Sequence, residues 1–441
     1  MNIKIKPSNG LKGDIIAPGS KSYSHRAFIA ASLSEGISKI KNALISGDVK
    51  VTIEILRSLG IKIIKNVDNI YTVENSKGFF ENVSDILDCK NSGTSIRIFS
   101  ALSILIKGGL SFKGDFLNRG RPILPLLEAL TQLGGKYSLN ENLLNIKRVS
   151  NQCRDIKIRG DISSQFITAL LMICPLLECE NRDNIKVEIT SPISSYPFIE
   201  ITLEILNSFG INIQEKLDNN KEGVYEIPLN QKYKAQTYEI PGDFSSIAFI
   251  IAAAVLSPEN SKITIINLDF NKPQGDKKII DILQQMGAKI DVDLEQNCIK
   301  VSGNLKKYPL KGISIDCRDI PDLFPILSVI GAFADNKTIL YNASTLRLKE
   351  SDRISVVARE LKKMGVKIIE EKDKLTIFHC KKLRGSVIEH DNDHRIALAF
   401  SIAALYANSN SQIYNVDIVE DSFPDFIRVL RSLGAQLQEN I

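Results

Sequence analysis

A short signature recurs six times along this 441-residue chain and constrains its fold more than any other feature. Each copy is an amphipathic run that ends in an apolar residue and a glycine, followed by alternating apolar and polar residues. This order predicts a helix that ends at a left-handed glycine and leads into a strand. Because the copies lie roughly 70 to 80 residues apart, the chain is predicted to contain six copies of one supersecondary unit. The glycines are Gly60, Gly134, Gly210, Gly287, Gly365 and Gly434.

A second repeat, out of phase with the first, predicts six helix starts that are rich in small polar or charged residues. Each polar cluster precedes a run that is apolar nearly all round, which is typical of a core helix. Each unit is therefore predicted to hold a buried helix with a polar start, an amphipathic outer helix and several short strands. The fold class is α/β, with α+β character. The polar clusters begin at Gly19, Asn91, Gly160, Gly242, Asp319 and Asp391.

The predicted helix starts give the first indication of function. A helix N-terminus offers unpaired N–H groups and the positive end of its dipole, so it favours anions. If three units pack with parallel buried helices, and two such lobes face each other, six starts point into one cleft that favours a polyanionic ligand. The polar segment 216–236, and turns of similar sequence near 17–20 and 239–242, predict two hinge crossings between lobes. The predicted lobes are residues 20–240, and residues 1–19 with 241–441.

Composition limits the classes of protein. The chain is 44% hydrophobic and 24% charged, and its net charge of +5 suits small acidic substrates without indicating nucleic acid. The first six residues alternate as a strand and lack the apolar stretch of a signal peptide, and the apolar run 248–256 is too short to cross a bilayer. We expect a cytoplasmic protein with no membrane or nucleic-acid partner.

The cysteines and histidines indicate no metal centre. The seven cysteines form no CxxC pair, so free and mostly buried thiols in a reducing compartment are expected. No cluster of cysteine and histidine has the spacing of a zinc site, and there are four histidines in all.

The stretch from Ala17 to Arg26 combines a turn with a cationic helix start. A turn is predicted at Pro18-Gly19, and Lys21, Arg26 and three serine hydroxyls follow within two helical turns. This spacing can present several donors and two positive charges to one anion. For the stretch alone, a capped helix start with solvated charges is an equally good interpretation.

Three further clusters carry related chemistry. In the run 347–353, Glu350 could transfer a proton beside cations that could bind an anion, although a solvated helix start with a Glu350–Arg353 pair also fits. Arg395 enters an otherwise apolar helix, which favours an anionic partner. The segment 163–165 offers two hydroxyls and an amide, suited to polyol or phosphate contacts or to a doubled N-cap.

These motifs are collinear with those of one family. They are Pro18-Gly19-Ser20-Lys21-Ser22 with Arg26, Asn91-Ser92-Gly93-Thr94 with Arg97, Arg121-Pro122, Ser163-Ser164-Gln165-Phe166, Ile320-Pro321-Asp322, Lys349-Glu350-Ser351-Asp352-Arg353 and Asn392-Asp393-His394-Arg395. Over its whole length the chain resembles the 5-enolpyruvylshikimate-3-phosphate synthase family. The resemblance implies two similar lobes, each of three βαβαββ units in an inside-out α/β barrel, with a ligand cleft between them.

The resemblance further implies a reaction. The enolpyruvyl group of phosphoenolpyruvate would pass to the 5-hydroxyl of shikimate 3-phosphate with release of phosphate, on the pathway to chorismate and the aromatic amino acids. The enzyme would be a monomer that needs neither a metal nor an organic cofactor. In this interpretation the two substrates are its partners, and glyphosate would be its inhibitor.

The resemblance also implies roles for individual residues. Asp322 would accept the proton of the 5-hydroxyl, and Glu350 with Lys21 would handle protons at the enolpyruvyl carbon. Shikimate 3-phosphate would contact Lys21, Ser22, Arg26, Ser163, Ser164, Gln165, Ser195, Asp322 and Lys349. Phosphoenolpyruvate would contact Lys21, Gly93, Arg121, Gln165, Arg353 and Arg395.

The chain departs from the family pattern at two positions. Asp421 stands where many members carry a lysine that faces phosphoenolpyruvate, and Thr345 stands where some carry an asparagine. Gly93 keeps the small residue that leaves room for glyphosate, so glyphosate sensitivity is expected, with Asp421 as the feature against it.

Two alternatives stay open at this point. The enolpyruvyl transferase that acts on UDP-N-acetylglucosamine shares the six-unit architecture but usually carries a reactive cysteine on a mobile loop, and residues 113–121 hold none. A nucleic-acid-binding or RNA-processing repeat protein is disfavoured by the modest charge and by the lack of a basic stripe interleaved with aromatic residues.

Overall fold

A computed structural model describes residues 1–78, 80–81 and 85–440. The chain divides into two compact units. The discontinuous unit is Met1–Ser20 together with Pro241–Ile441, and the continuous unit is Lys21–Ile240. No helix in the described ranges is long and apolar enough to span a membrane.

The secondary structure is a mixture of short strands and helices. In chain order the strands are β1 (Asn2–Ile5), β2 (Lys12–Ile16), β3 (Gly36–Lys41), β4 (Lys62–Lys65), β5 (Ile70–Asn75), β6 (Ile86–Asp88), β7 (Leu110–Lys113), β8 (Gly135–Asn140), β9 (Leu143–Arg148), β10 (Ile156–Ile158), β11 (Asn184–Ile189), β12 (Gln214–Leu217), β13 (Gly223–Pro228), β14 (Thr237–Glu239), β15 (Ser261–Ile266), β16 (Lys289–Asp293), β17 (Cys298–Gly303), β18 (Ser314–Asp316), β19 (Lys337–Tyr341), β20 (Ile368–Glu370), β21 (Leu375–Phe378), β22 (Val387–Ile388), β23 (Ser411–Ile413) and β24 (Leu437–Asn440).

The helices alternate between buried and amphipathic ones. In chain order they are α1 (Lys21–Leu33), α2 (Gly47–Ser58), α3 (Gly93–Leu102), α4 (Asp115–Asn118), α5 (Leu124–Gln132), α6 (Ser164–Ile173), α7 (Pro197–Ser208), α8 (Phe244–Val255), α9 (Lys278–Met286), α10 (Phe324–Phe333), α11 (Arg353–Lys363), α12 (His394–Leu405) and α13 (Phe426–Ser432).

Among the described residues, each unit contains three four-stranded sheets of one design. In the continuous unit the strand orders are β14-β3-β5-β4, β6-β7-β9-β8 and β10-β11-β13-β12. In the discontinuous unit they are β16-β17-β15-β2, β18-β19-β21-β20 and β22-β23-β1-β24. In every sheet one edge strand runs parallel to its neighbour and the other pairs are antiparallel, as between β10, β11 and β13. The predicted α/β class with six repeated units is therefore confirmed.

The repeated glycines take the conformation that the sequence predicts. All six have positive φ, from 80° at Gly134 to 110° at Gly287, and each follows an amphipathic helix. A residue with a Cβ is disfavoured at such angles, which explains why glycine ends these helices and turns the chain toward the next strand.

The predicted core helices are buried as well. Every residue of α8 and of α12 is buried, and α1, α3, α6 and α10 expose little more. Each unit thus has its own apolar core, built from the faces of its sheets and its three buried helices. The starts of these helices fall at the predicted polar clusters.

The cysteine prediction was wrong for one pair. Cys153 and Cys179 form a disulfide, whereas the other five cysteines are free thiols. Cys153 precedes β10 and Cys179 follows α6. The two segments lie side by side, and the backbone N–H of Glu180 donates to the carbonyl of Asn151 at 3.0 Å. No spacing rule reveals such a pair, since the contact depends on how the strand and helix fold back.

Candidate active site

In the continuous unit, Arg26 connects the first two turns of α1, α6 and α7. Its Nε donates to Thr202 Oγ1 at 2.8 Å, and its Nη2 lies 3.3 Å from Thr168 Oγ1 and 3.2 Å from the Phe198 carbonyl. Its Nη1 donates to the carbonyl of Ser22 at 2.9 Å. Burial lowers the pKa of Arg26 to about 10, which leaves the side chain charged at neutral pH.

Lys21, at the first position of α1, is a second cation of this region. Its Nζ lies 3.6 Å from Asp48 Oδ2, and the side chain is only 15% exposed. One turn later His25 is buried and its Nδ1 lies 2.8 Å from Thr52 Oγ1. Burial, followed by the charges of Lys21 and Arg26, lowers the pKa of His25 well below its ordinary value. The histidine is therefore neutral and adds no third charge.

The start of α3 is surrounded by two arginines. Ser92 caps the helix through its hydroxyl, which accepts from the backbone N–H of Ser95 at 3.2 Å. A Cβ added to Gly93 would lie 3.1 Å from both Arg121 Nη2 and Arg97 Nη1. The N-terminus of a ten-residue helix flanked by two guanidinium groups is an anion-binding arrangement.

Gln165 links the starts of α3 and α6. Its Oε1 accepts from Arg97 Nη1, and its Nε2 donates to Thr94 Oγ1 at 3.0 Å. Ser163 caps α6, since its hydroxyl accepts from the backbone N–H of Gln165 at 3.3 Å. Arg97 was not among the site residues expected from the sequence, although its motif was noted, because nothing in the sequence indicates that it contacts Gln165.

Three serines that the sequence placed in the site lie at or near the starts of helices in the continuous unit. Ser164 is buried at the first position of α6. Ser195 is buried and has φ of 61°, shortly before α7 begins. Ser22 is half-buried in the first turn of α1. Their predicted contacts with shikimate 3-phosphate stay predictions.

In the discontinuous unit, Arg353 gathers three carboxylates. Its Nε donates to Asp393 Oδ2 at 2.8 Å, its Nη1 to Asp322 Oδ1 at 2.8 Å, and its Nη2 to Glu350 Oε2 at 2.9 Å. The arginine is 1% exposed. Asp393 also caps α12 by accepting from the backbone N–H of Arg395 at 3.0 Å. The structure thus brings together Asp322, Glu350, Arg353 and Arg395, which the sequence placed in three separate motifs.

Arg395 differs from Arg353 in how its donors are used. Its Nη2 lies 3.2 Å from Asp322 Oδ2. Its Nε and Nη1 are buried, and neither has a hydrogen-bond partner among the described residues. A buried N–H without an acceptor is costly, so these two groups favour an added anionic oxygen.

The charges of this cluster act on its carboxylates in opposite directions. Burial alone would raise the pKa of Asp322, but Arg395, Arg353 and Lys349 together hold it well below its ordinary value. Burial and the neighbouring charge of Asp322 raise the pKa of Asp276 to about 7, and a hydrogen bond from the Ser245 hydroxyl opposes that rise. Asp276, in a short 3-10 helix before α9, was not expected from the sequence.

Asp421 lies beside the start of another buried helix. It ends a 3-10 helix at Val416–Asp421, and the carbonyl of the next residue, Ser422, accepts from Ser246 Oγ in α8 at 2.9 Å. Asp421, which the resemblance marked as a departure from the family pattern, therefore lies next to the start of α8. Among the described residues, no group of three or more histidine, cysteine, aspartate or glutamate side chains could hold a metal ion.

Solved structures share this fold of six repeated units over the full length of the chain. The chain is similar to the enolpyruvyl transferase NikO from Streptomyces tendae, with a TM-score of 0.79 and 16% identity, over 100% of this chain and 98% of that one. It is also similar to the EPSP synthase from Acinetobacter baumannii, with a TM-score of 0.81 and 25% identity over 100% of both chains.

Sequence relatives define the family more narrowly. The profile of EPSP synthase (3-phosphoshikimate 1-carboxyvinyltransferase) matches residues 5–430. The 3-phosphoshikimate 1-carboxyvinyltransferase of Methanocaldococcus jannaschii is 42% identical over 440 residues, covering 98% of each chain. That of Methanococcus vannielii is 40% identical over 439 residues, covering 98% of this chain and 99% of its own. The chain belongs to the EPSP synthase family.

Proposed function

We propose that this chain transfers the enolpyruvyl group of phosphoenolpyruvate to the 5-hydroxyl of shikimate 3-phosphate and releases phosphate. Family membership supports the reaction and does not favour the alternative acceptor UDP-N-acetylglucosamine or a nucleic-acid partner. The observation that carries the proposal is the cluster around Asp322, where an ionised carboxylate lies beside Arg395, whose two buried N–H groups favour an added anion.

Asp322 serves as the general base in this proposal. It takes the proton of the 5-hydroxyl as the hydroxyl oxygen attacks C2 of phosphoenolpyruvate. Burial tends to raise the pKa of Asp322, but the neighbouring cations outweigh it and hold the pKa well below its ordinary value. Asp322 is therefore a weak base before the substrates bind. An anion bound at Arg395 would offset part of that positive charge, which raises the pKa of Asp322 and makes it a stronger base. Anion binding and base strength are thus coupled through one arginine.

Glu350 and Lys21 carry the proton at the other reacting carbon. C3 of phosphoenolpyruvate gains a proton as C2 is attacked, which gives a tetrahedral adduct, and C3 loses a proton when phosphate leaves. Glu350 is a candidate because its carboxylate accepts from Arg353, which also donates to Asp322; Glu350 Oε2 is 2.9 Å from Arg353 Nη2. Lys21 is a candidate because it is a largely buried cation with Asp48 as its nearest acid.

The proposed ligand contacts follow the family motifs. For phosphoenolpyruvate, the Arg121–Gly93–Gln165 arrangement around α3 supports an anion contact in the continuous unit, with Lys21 at the α1 start. Arg353 and Arg395 are the proposed contacts from the discontinuous unit. For shikimate 3-phosphate, the proposed contacts are Lys21, Ser22, Arg26, Ser163, Ser164, Gln165, Ser195, Asp322 and Lys349.

A phosphate-release assay tests the proposal. The purified chain should release phosphate from phosphoenolpyruvate when shikimate 3-phosphate is the acceptor, and not when UDP-N-acetylglucosamine is. Glu350→Gln should bind both substrates with affinities close to wild type and lose about 100-fold or more in kcat, because the amide oxygen can still accept from Arg353 Nη2 but the side chain can no longer transfer a proton. Dialysis against EDTA should leave kcat unchanged. Release with the nucleotide sugar instead would assign the other reaction.

The assembly state and location of the chain are also proposed. We propose a monomer in the cytoplasm, and light scattering should give a mass near 49.0 kDa. A mass of twice that value would contradict the monomer.

A further inference from the structure

Phe116 lies in contact with both arginines at the α3 start. It belongs to the short helix α4 and is fully buried. The guanidinium carbon of Arg97 lies over its ring at 4.9 Å from the ring centroid, and that of Arg121 lies over it at 4.8 Å. The Cε2 atom of the ring would be 3.2 Å from a Cβ added to Gly93. One aromatic ring thus meets two cations and the helix start at a single point.

The two arginines differ in burial and in secondary structure, since Arg97 lies in α3 and Arg121 lies on a loop. Arg97 donates to the Pro122 carbonyl through Nε at 3.3 Å and also contacts Gln165, and it is buried. Arg121 is half-buried, and its Nη1 donates to the carbonyl of Asn91 at 3.0 Å. A half-buried arginine on a loop has many rotamers, so each further contact narrows its range of positions.

The ring adds an electrostatic attraction to these hydrogen bonds. Two guanidinium groups that converge on one point repel each other, and they repel more strongly when water is excluded. The negative face of an aromatic ring attracts a cation, most strongly in a desolvated site. Phe116 therefore opposes the tendency of Arg121 to swing away from Arg97 before an anion binds.

We propose that Phe116 is a positioning residue, whose ring holds Arg121 beside Gly93 in the orientation that receives the anion of phosphoenolpyruvate. The proposal deepens the proposed function and rests on it. The motifs expected from the sequence do not include Phe116, because the sequence does not indicate which cations an aromatic residue five positions before Arg121 will contact. Its simplest alternative role is to fill the core.

Phe112 separates the two roles. It is the same residue type, is equally buried, and lies in β7, only four positions earlier, with Leu87 and Leu144 as its partners in the sheet. Trifluorophenylalanine, introduced in the full chain at position 116 or at position 112, keeps the shape of the ring but removes most of its negative face. A core-filling ring tolerates this change at both positions, whereas a ring that attracts cations does not.

The steady-state assay with phosphoenolpyruvate and shikimate 3-phosphate should distinguish the positions. With trifluorophenylalanine at 116, KM for phosphoenolpyruvate should rise about tenfold, while kcat and KM for shikimate 3-phosphate stay within about twofold. The same change at 112 should alter none of them. Phe116→Leu should resemble the fluorinated ring in KM and also lose stability, and Phe112→Leu should lose stability alone.

A binding measurement keeps this proposal separate from the proposed function. Calorimetric titration with inorganic phosphate needs no turnover, and Arg121→Met identifies the part of the binding that depends on Arg121. The fluorinated ring at 116 should weaken that part about tenfold. If wild type fails to turn over but the phosphate result holds, the reaction is wrong and the role of Phe116 stands. Equal effects at 112 and 116, or no effect at 116 in either assay, would overturn the role of Phe116.

Discussion

The Cys153–Cys179 disulfide should stabilise the continuous unit by an amount that its position determines. The bond closes a segment of 26 residues that contains β10 and α6, including the Ser163–Gln165 turn. Closing a loop of that length removes chain entropy from the unfolded state worth about 3.5 kcal/mol at 25 °C. We therefore expect Cys153→Ser with Cys179→Ser to lower the free energy of unfolding of this unit by about that amount.

Buried thiols elsewhere in the chain report the change unit by unit. Cys174 follows α6 in the continuous unit, and Cys317 follows β18 in the discontinuous one; both are buried. Burial raises the pKa of each thiol, to about 12 for Cys174. Each is therefore labelled only when its surroundings open. In the double variant, labelling of Cys174 should be about 300-fold faster, and labelling of Cys317 should be unchanged.

Two results would refute this reasoning. Before any reductant is added, the denatured wild-type chain should react as five thiols, and a count of seven would show that the bond does not form. If the bond forms but Cys174 is labelled at the same rate in the double variant, loop closure does not stabilise the unit. Cys380→Ser, which removes a free and partly exposed thiol from the discontinuous unit, serves as the control for loss of a cysteine.

Three further predictions concern the charged clusters. Gly93→Ala should raise KM for phosphoenolpyruvate about tenfold and weaken glyphosate inhibition, since a methyl group there lies 3.1 Å from guanidinium nitrogens of Arg121 and Arg97; an unchanged KM would contradict it. Burial, followed by the charge of Asp322, raises the pKa of Asp276 to about 7, so the stability that protonated Asp276 contributes is present below about pH 4 and is lost as the pH rises to about 7. The free energy of unfolding in urea should therefore fall over this pH range in wild type, and Asp276→Asn should not show that fall. Arg395→Lys should mainly raise KM for phosphoenolpyruvate, because Arg395 has the buried donors that favour an anion, whereas Arg353→Lys should mainly lower kcat, because Arg353 holds Asp322 and Glu350. The reverse pattern would contradict these two roles.

The parts of the fold that local chemistry dictates could be predicted from the sequence. A glycine that must adopt positive φ is required by the turn it makes, so Gly60 and its five counterparts marked the six units correctly. The polar clusters likewise predicted where buried helices begin, because capping groups act on the residues beside them. Asp393 shows this, since its carboxylate accepts from the backbone N–H of Arg395 in the first turn of α12.

Contacts between distant segments could not be predicted in the same way. Arg353 pairs with Glu350 in its own motif, but its pairs with Asp322 and Asp393 join α11 to the starts of α10 and α12. The packing of three helices decides which acids a buried arginine pairs with, and that packing cannot be inferred from composition or from the spacing of residues in the sequence. The same holds for Phe116 beneath two arginines and for the disulfide.

The hydrogen bonds of Arg353 and Arg395 also indicate different roles for these two arginines, which the sequence analysis assigned the same role. Arg353 already gives its Nε to Asp393 and contacts three carboxylates, so its main effect is to fix where Asp322 and Glu350 lie. The Arg395 side chain pairs with Asp322, and its Nε and Nη1 are buried without a hydrogen-bond partner among the described residues. Buried donors without an acceptor are the ones that gain most from a bound anion. One arginine therefore arranges the acids, and the other makes the strength of Asp322 as a base depend on whether the anionic substrate has arrived.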